Sequence, residues 1–423
     1  MPSSDRSSQH PWLGIVADDI TGATDVAAYV TRTGSATIQF FGVPEGLTSV
    51  DADCVVVALK TRSVPADEAV KQSLEAARWL ERLGVEHVYF KYCSTFDSTP
   101  AGNIGPVADA LAAERGASRV VIAPSAPENG RTVYQSRLFV HDQLLEESPL
   151  KDHPLNPMHK SDLRVLMAEQ SATPVEAVPL AVVAQGADAV RRTVGAFEGP
   201  LVHVVADAVS DADLDVWAGV ALEQPLSTGS AGLAAAMARA HSGSSRSDLS
   251  VPLPSGPVGF LSGSASAATR GQVHHFLERH AGLYVDAKAL ATGEQRIGDI
   301  ERYLDEALAK ADPPLVYSTT SLHELTAIQR DLGPATAAHL VETAMAETAR
   351  AMVARGIRRV VVAGGETSGA VVQALGPAGI WIGPEVAPGV PWTVTTDDDP
   401  IALLLKSGNF GTEEFFTIAE AWA

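Results

Sequence analysis

The chain has 423 residues, enough for two or three domains, and its 46% hydrophobic and 19% charged residues are the balance of a folded globular protein. Its 31 basic residues against 51 acidic ones give a formal net charge of −20, which argues against nucleic acid or an anionic membrane as a partner, because both need a basic footprint. Only two cysteines, Cys54 and Cys93, are present, each in or beside an apolar run, so a disulfide framework or a cysteine-based zinc site is not expected.

The first twelve residues carry no apolar signal core, and no apolar run reaches the length of a membrane span, so a cytoplasmic location is expected. The first element is the apolar run Leu13–Ala17, read as a buried strand. Asp18 and Asp19 follow it, and Thr21, Gly22 and Thr24 turn the chain into an apolar helix expected to begin near Ala23. Two carboxylates at the mouth of a strand can bind hydroxyls, hold a metal or accept a proton. A plain helix cap is the competing reading.

Further strands are expected at Ala36–Phe41, Cys54–Leu59, His87–Phe90, Arg119–Ala123 and Leu201–Ala206. Between them, Asp67–Leu83 places Val70, Leu74, Ala77 and Leu80 on one helical face, and Pro106–Glu114 reads as a second helix. Such alternation marks a parallel sheet covered by helices. Three strand ends in this region also deliver the scarce cations: Lys60 and Arg62, then Lys91, then Arg131. Their shared placement suits an anion pocket, although any one alone would read as a surface charge. Asp97, among hydroxyl residues after Lys91, competes with Asp19 as a proton acceptor.

Residues 241–257 are rich in serine, glycine and proline and read as a linker. A second α/β series follows: strand Val258–Leu261, helix Ala268–Glu278, helix Asp299–Ala311, strand Leu315–Ser318, helix Ala335–Arg355 and strand Arg359–Val362. Two of its strands run into small-residue loops at helix starts, Ser262-Gly263-Ser264 and Gly364-Gly365-Glu366-Thr367-Ser368-Gly369. Free backbone N–H groups and the helix dipole there favour phosphate, and the hydroxyls of Ser262, Ser264 and Thr367 add donors. Lys406-Ser-Gly408-Asn-Phe-Gly411 supplies a third such loop. The P-loop and dinucleotide signatures are both missing, as is H-E-x-x-H, and His153 and His159 are isolated.

Taken together these segments resemble the four-carbon acid sugar kinase family, over nearly the whole length from Gly14 to about Phe416. The likeness is carried by Ala17-Asp-Asp-Ile-Thr-Gly-Ala-Thr-Asp25, Lys60-Thr-Arg-Ser63, Lys91-Tyr-Cys-Ser-Thr-Phe-Asp-Ser-Thr99, Asn129-Gly-Arg-Thr-Val-Tyr134, His153-Pro-Leu-Asn-Pro-Met158, Ser227-Thr-Gly-Ser-Ala-Gly-Leu233 and the three glycine loops. Pro100-Ala-Gly-Asn103 stands where threonate and erythronate kinases usually carry Leu-Arg-Gly-Asn, which favours the 3-oxo-tetronate kinase branch.

The resemblance implies a two-domain α/β protein, each domain a mostly parallel sheet covered by helices, with the active site in the cleft between them. Residues 1–240 would bind the sugar acid, 241–257 would link, and 258–423 would bind ATP with Mg²⁺. Asp18, Lys60, Arg62, Lys91 and Arg131 would hold the acid, Asp19 first and Asp97 second would be the catalytic base, and Ser262, Ser264, Gly364, Gly365, Glu366, Thr367 and Gly408 would hold the nucleotide. The expected partner is a small four-carbon sugar acid, with a homodimer left open as the assembly. A hydroxy-acid kinase of the same family, an NAD-dependent hydroxy-acid dehydrogenase and a non-catalytic sugar-acid binding protein are the alternatives.

Overall fold

Continuous apolar runs four or five residues long, bounded by polar turns, become strands buried on both faces when helices cover the sheet. In the computed structural model the described residues are 10–152, 157–241, 251–406, 408 and 410–422. His153, most of the 241–257 linker, Ser407 and Asn409 lie outside them. Residues up to 241 pack as one unit and those from 251 as a second.

The first unit contains β1 (Leu13–Ala17), β2 (Thr37–Phe41), β3 (Cys54–Ala58), β4 (His87–Lys91), β5 (Arg119–Ala123), β6 (Arg131–Tyr134), β7 (Arg137–Val140), β8 (Gln143–Leu144), β9 (Val175–Val178), β10 (Val202–Ala206) and β11 (Leu226–Gly229). Eight of these pair in the order β2-β3-β1-β4-β11-β5-β10-β9, parallel throughout. Residues of β1, β3 and β4 are all buried, as their unbroken apolar sequence requires. A three-stranded antiparallel sheet, β6-β7-β8, follows β5. The alternation read from the sequence did not anticipate it, because its short strands lack a long apolar run.

The chain leaves β1 toward β2 and β3 on one side and then crosses to β4 on the other. The strand order therefore reverses between β1 and β4, which is where open α/β sheets present ligands at their carboxyl ends. Asp18 and Asp19 follow β1, and Lys91 ends β4.

The second unit holds β12 (Val258–Ser262), β13 (Gly282–Tyr284), β14 (Leu315–Tyr317), β15 (Arg359–Ala363), β16 (Gly379–Ala387), β17 (Val390–Thr395) and β18 (Ala402–Lys406). Its order is β13-β14-β12-β15-β18-β17-β16, parallel as far as β18 and antiparallel beyond. Phe260, Phe276 and Phe416 pack mutually in its core, with ring centroids 4.7–6.0 Å apart. Here the order reverses between β12 and β15, and the loops Ser262–Ser264 and Gly364–Gly365 leave those two strands.

Two local expectations are corrected. The first helix spans Ile20–Thr31 rather than starting near Ala23, because Asp19 caps it, its side chain accepting from the Gly22 amide. The helix Ala66–Arg82 buries Ala69, Ser73, Ala76, Ala77, Trp79 and Leu80, leaving Val70 and Leu74 at the margin. Small side chains let that helix lie close on the sheet, and they outweigh the larger apolar residues in setting its rotation.

Candidate functional site

The first constellation is built by strand ends. The Asp18 amide donates to the Lys91 carbonyl at 3.0 Å, and the Asp18 carbonyl accepts from the Thr61 and Arg62 amides at 2.9 and 3.2 Å. Backbone bonds thus tie the ends of β1, β4 and the segment after β3 before any side chain contributes. Arg62 then forks onto Asp18, with Nε 2.9 Å from Oδ2 and Nη2 2.8 Å from Oδ1, while Nη2 also reaches Asp19 Oδ1 at 2.7 Å. Among the described residues Nη1 has no hydrogen-bond partner.

Asp19, not Asp18, is the helix cap. Its Oδ1 accepts from the Gly22 amide at 3.2 Å and its Oδ2 from the Thr21 hydroxyl at 2.7 Å. Burial pushes the Asp19 carboxyl up, but Arg62, Lys91, the Thr21 hydroxyl and the Gly22 amide outweigh it and hold it below the usual carboxylate range. Asp18 is more deeply buried, and that burial raises its carboxyl against the pull of Arg62. The two carboxylates in turn lift Arg62 above the ordinary arginine value, so its charge is permanent. Lys91 is 2% exposed and its Nζ donates to the Tyr92 carbonyl at 2.9 Å. A methyl added to Gly22 would lie 2.2 Å from Asp19 Oδ1 and 3.1 Å from Lys91 Nζ, so only glycine leaves that approach open.

Asp97 is delivered by a strained turn. Phe96 is fully buried with φ +52°, a region costly for an aromatic residue and held there by its ring packing edge-on against Tyr92. Asp97 Oδ1 accepts from the Thr95 hydroxyl at 2.6 Å, and no described residue donates to Oδ2. Asp18, Arg62, Asp97, Ser98 and Asn103 line one small pocket. Three of the carboxylate and cation positions picked from sequence are therefore brought together. Lys60 is exposed and outside this pocket. Arg131 stands at the start of β6, its Nη1 donating to the Asn129 carbonyl, and does not line the pocket either. Asn103 and Ser98 were not singled out. The signal was present in the run Asp97-Ser-Thr-Pro-Ala-Gly-Asn103, but nothing local announces which polar side chain turns inward.

In the second unit three loops converge. The Gly263 amide donates to the Ala363 carbonyl and the Gly364 amide to the Lys406 carbonyl, both at 2.9 Å. A Cβ on Gly263 would lie 2.1 Å from Thr367 Oγ1, and one on Gly408 would lie 2.4 Å from Ser264 Oγ. Gly364 has φ +127° and precedes the helix Gly365–Leu375. A Cβ on Gly365 would meet no atom of the described residues within 4 Å, so that position at the helix start is open toward them. Glu366 is exposed in the first turn, Thr367 is 4% exposed, and the buried Ser368 Oγ has no hydrogen-bond partner among the described residues. The buried Ser262 Oγ lies 2.6 Å from Thr319 Oγ1, and either hydroxyl can be the donor.

Beside these loops lies a mostly apolar pocket of about 200 Å³, lined by Gly263, Tyr284, Val285, Leu325, Ile328, Val341, Glu366 and Thr367 among others. The helix Leu322–Leu332, which forms one wall, was not read from the sequence. Lys406, at the end of β18, is a second residue not given a role. It is 2% exposed, donates to Thr269 Oγ1 at 2.9 Å and the Gly408 carbonyl at 3.3 Å, and is pushed down to about 8 by burial.

Comparisons with known proteins cover both units. Residues 13–237 match a sugar-binding N-terminal domain and residues 260–416 a nucleotide-binding C-terminal domain. The 3-oxo-tetronate kinase of Cupriavidus necator is 47% identical, covering 97% of this chain and 96% of its own. That of Burkholderia multivorans is 44% identical, with 97% of each covered. A crystal structure of a Haemophilus influenzae protein superposes with TM-score 0.86 at 40% identity, covering 96% of this chain and 99% of its own. The chain belongs to the four-carbon acid sugar kinase family. Among the described residues no helix is long and apolar enough to cross a membrane.

Lys406 gives a pH prediction. The folded protein holds this amine at about 8 against an ordinary 10.5, so between those values the unfolded chain binds the extra proton and stability at this position rises with pH. Urea unfolding of the native protein and of Lys406→Met at pH 7.5 and pH 10 should show the native protein gaining on the variant at the higher pH. A constant difference would mean that the folded state imposes no desolvation on this ammonium.

Proposed function

We propose that this chain is an ATP-dependent kinase that phosphorylates the 4-hydroxyl of 3-oxo-tetronate. One observation carries the reading: enzymes of that name are 41–47% identical to this chain and cover 96% or more of it. The site residues agree in chemistry. Dependence on ATP makes the cytoplasm the place of reaction.

In the first unit, Arg62 through its open Nη1 and Lys91 from beneath offer positive charge to the acid's carboxylate. Of the two candidate proton acceptors, Asp19 has both oxygens engaged by Gly22, Thr21 and Arg62. Asp97 lines the pocket and no described residue donates to its Oδ2, which favours Asp97 as the general base and Asp19 as a positioning residue for Arg62 and the helix. The C4 oxygen attacks the γ-phosphorus, the bond to the ADP oxygen breaks, and the hydroxyl proton passes to the Asp97 carboxylate.

In the second unit, the backbone at Gly263, Ser264, Gly364, Gly365 and Gly408 forms a cradle whose loops could not converge with a Cβ at Gly263 or Gly408. The adjoining apolar pocket suits the base and ribose of ATP. No group of three or more His, Cys, Asp or Glu side chains placed to hold a metal occurs among the described residues. That fits Mg²⁺ carried mainly by phosphates and water, with Glu366 as the protein carboxylate at hand. When bound, Mg²⁺ supplies neutralisation of phosphate charge.

An ATP-consumption screen over four-carbon acids tests the reading. 3-Oxo-tetronate should be turned over in preference to threonate and erythronate, and absence of ATP consumption with every acid would overturn it. Gly365→Val, a change the fold tolerates at an open position, should raise the KM for ATP at least tenfold; unchanged ATP kinetics would remove this loop from the site. Asp97→Asn should lower kcat by roughly 10²–10⁴-fold with ATP affinity kept. A greater kcat loss in Asp19→Asn than in Asp97→Asn would return the role to Asp19.

A further inference from the structure

Asn103 is 6% exposed and immediately precedes the helix Ile104–Arg115, yet its side chain makes no capping bond to that helix. Its Nδ2 instead donates to the Thr61 carbonyl at 2.7 Å and the Val64 carbonyl at 2.8 Å, with the Arg62 carbonyl at 3.4 Å. Three carbonyl oxygens can face only the NH₂ group, so the orientation of the amide is settled by its surroundings. The oxygen is thereby committed to the other side. Oδ1 is buried and has no hydrogen-bond partner among the described residues, in a side chain that lines the pocket shared by Asp18, Arg62 and Asp97. A buried acceptor left without a donor costs about 1–3 kcal/mol, so its retention calls for a donor that arrives with a ligand.

The geometry points to Asn103 as a specificity-determining residue whose Oδ1 accepts a hydrogen bond from the C2 hydroxyl of the acid substrate. This rests on the kinase reading above. The chemistry of the acid selects that hydroxyl. Its carboxylate and its 3-oxo group are acceptors and cannot satisfy another acceptor. Its C4 hydroxyl gives its proton to a carboxylate during transfer. Only the C2 hydroxyl remains as a donor, and it is adjacent to the carboxylate that Arg62 would hold. Arg62 belongs to the segment that Asn103 itself clamps, so one amide fixes the cation and presents the acceptor beside it.

The test compares 3-oxo-tetronate with its 2-deoxy counterpart, 4-hydroxy-3-oxobutanoate, both freshly generated, in the full-length protein. Binding is measured by calorimetry and turnover by ATP consumption. The native protein should prefer the hydroxylated acid by about 100-fold or more, because a site built around a hydroxyl rejects its absence strongly. In Asn103→Ala that preference should fall to within about threefold. A side chain that only braced Thr61–Val64 would weaken both acids alike and leave the ratio intact, which would overturn the proposal. The native ratio stands independently of how any variant folds: equal binding of the two acids, or binding of neither, overturns the proposal as well. Selective binding without ATP turnover would instead remove the kinase reading and leave this assignment standing.

Discussion

The fork of Arg62 onto Asp18, with Asp19 taking the remaining Nη2 proton, is the constraint on which the first unit's site depends. It links the carboxyl end of β1 to the segment after β3, and the backbone bond from Asp18 to Lys91 carries the link to β4. Such a buried ionic group is a poor source of stability in itself, since desolvation offsets most of the Coulombic gain. Removing one member is another matter: an unpaired buried carboxylate costs about 3–5 kcal/mol. The group therefore behaves as a lock on geometry. It holds one cation in one orientation with its remaining Nη1 edge open, and it lets Asp19 serve as helix cap at the same time.

The second unit reaches an anion-binding geometry by different means. There the constraint is steric, with the Thr367 hydroxyl lying where a Cβ on Gly263 would be and Ser264 lying where one on Gly408 would be. Loops from β12, β15 and β18 can converge only because the residues at the contact lack side chains. Lys406 reinforces the convergence from below by bonding inward to Thr269 and the Gly408 carbonyl. Its lowered value records the cost of that buried position.

Much of this was legible in the sequence because the signals were local. Apolar runs between polar turns located β1, β3, β4, β5, β12 and β15 nearly to the residue, and the charged or glycine-rich segments after them marked the strand ends that matter. What stayed hidden depended on contacts between distant segments. Asp18 and Asp19 are adjacent and chemically identical, and only the position of Arg62, more than forty residues on, decides which is buried and which caps. Lys60 and Arg62 share one loop and, two residues apart, would share a face of an extended strand; the turn that begins at Arg62 leaves Lys60 exposed and carries Arg62 inward onto Asp18. Asn103 reads as a turn residue until the carbonyls of Thr61 and Val64 are placed around it. The antiparallel pair β16 and β17 did carry a local cue, the two-residue Pro388-Gly389 turn that joins them, which the alternation of strands and helices does not weigh.

The net charge of −20 looks unsuited to a protein that handles two anionic reactants, and the structure shows why the two facts are compatible. At physiological ionic strength, charges further away than about 8 Å are largely screened, so the acidic surface acts little on a buried pocket. Locally, Arg62 is fixed by carboxylates and Lys91 by a backbone carbonyl, so neither has to be ordered when a ligand arrives. Freezing a long basic side chain costs up to about 2 kcal/mol of rotamer entropy, and here that cost is met in folding. In the second unit the potential comes from backbone N–H groups at the start of the helix Gly365–Leu375, which carry no net charge and need no reorganisation. Positive potential is thus built by placement of a few groups and not by their number, and an acidic chain loses nothing by it.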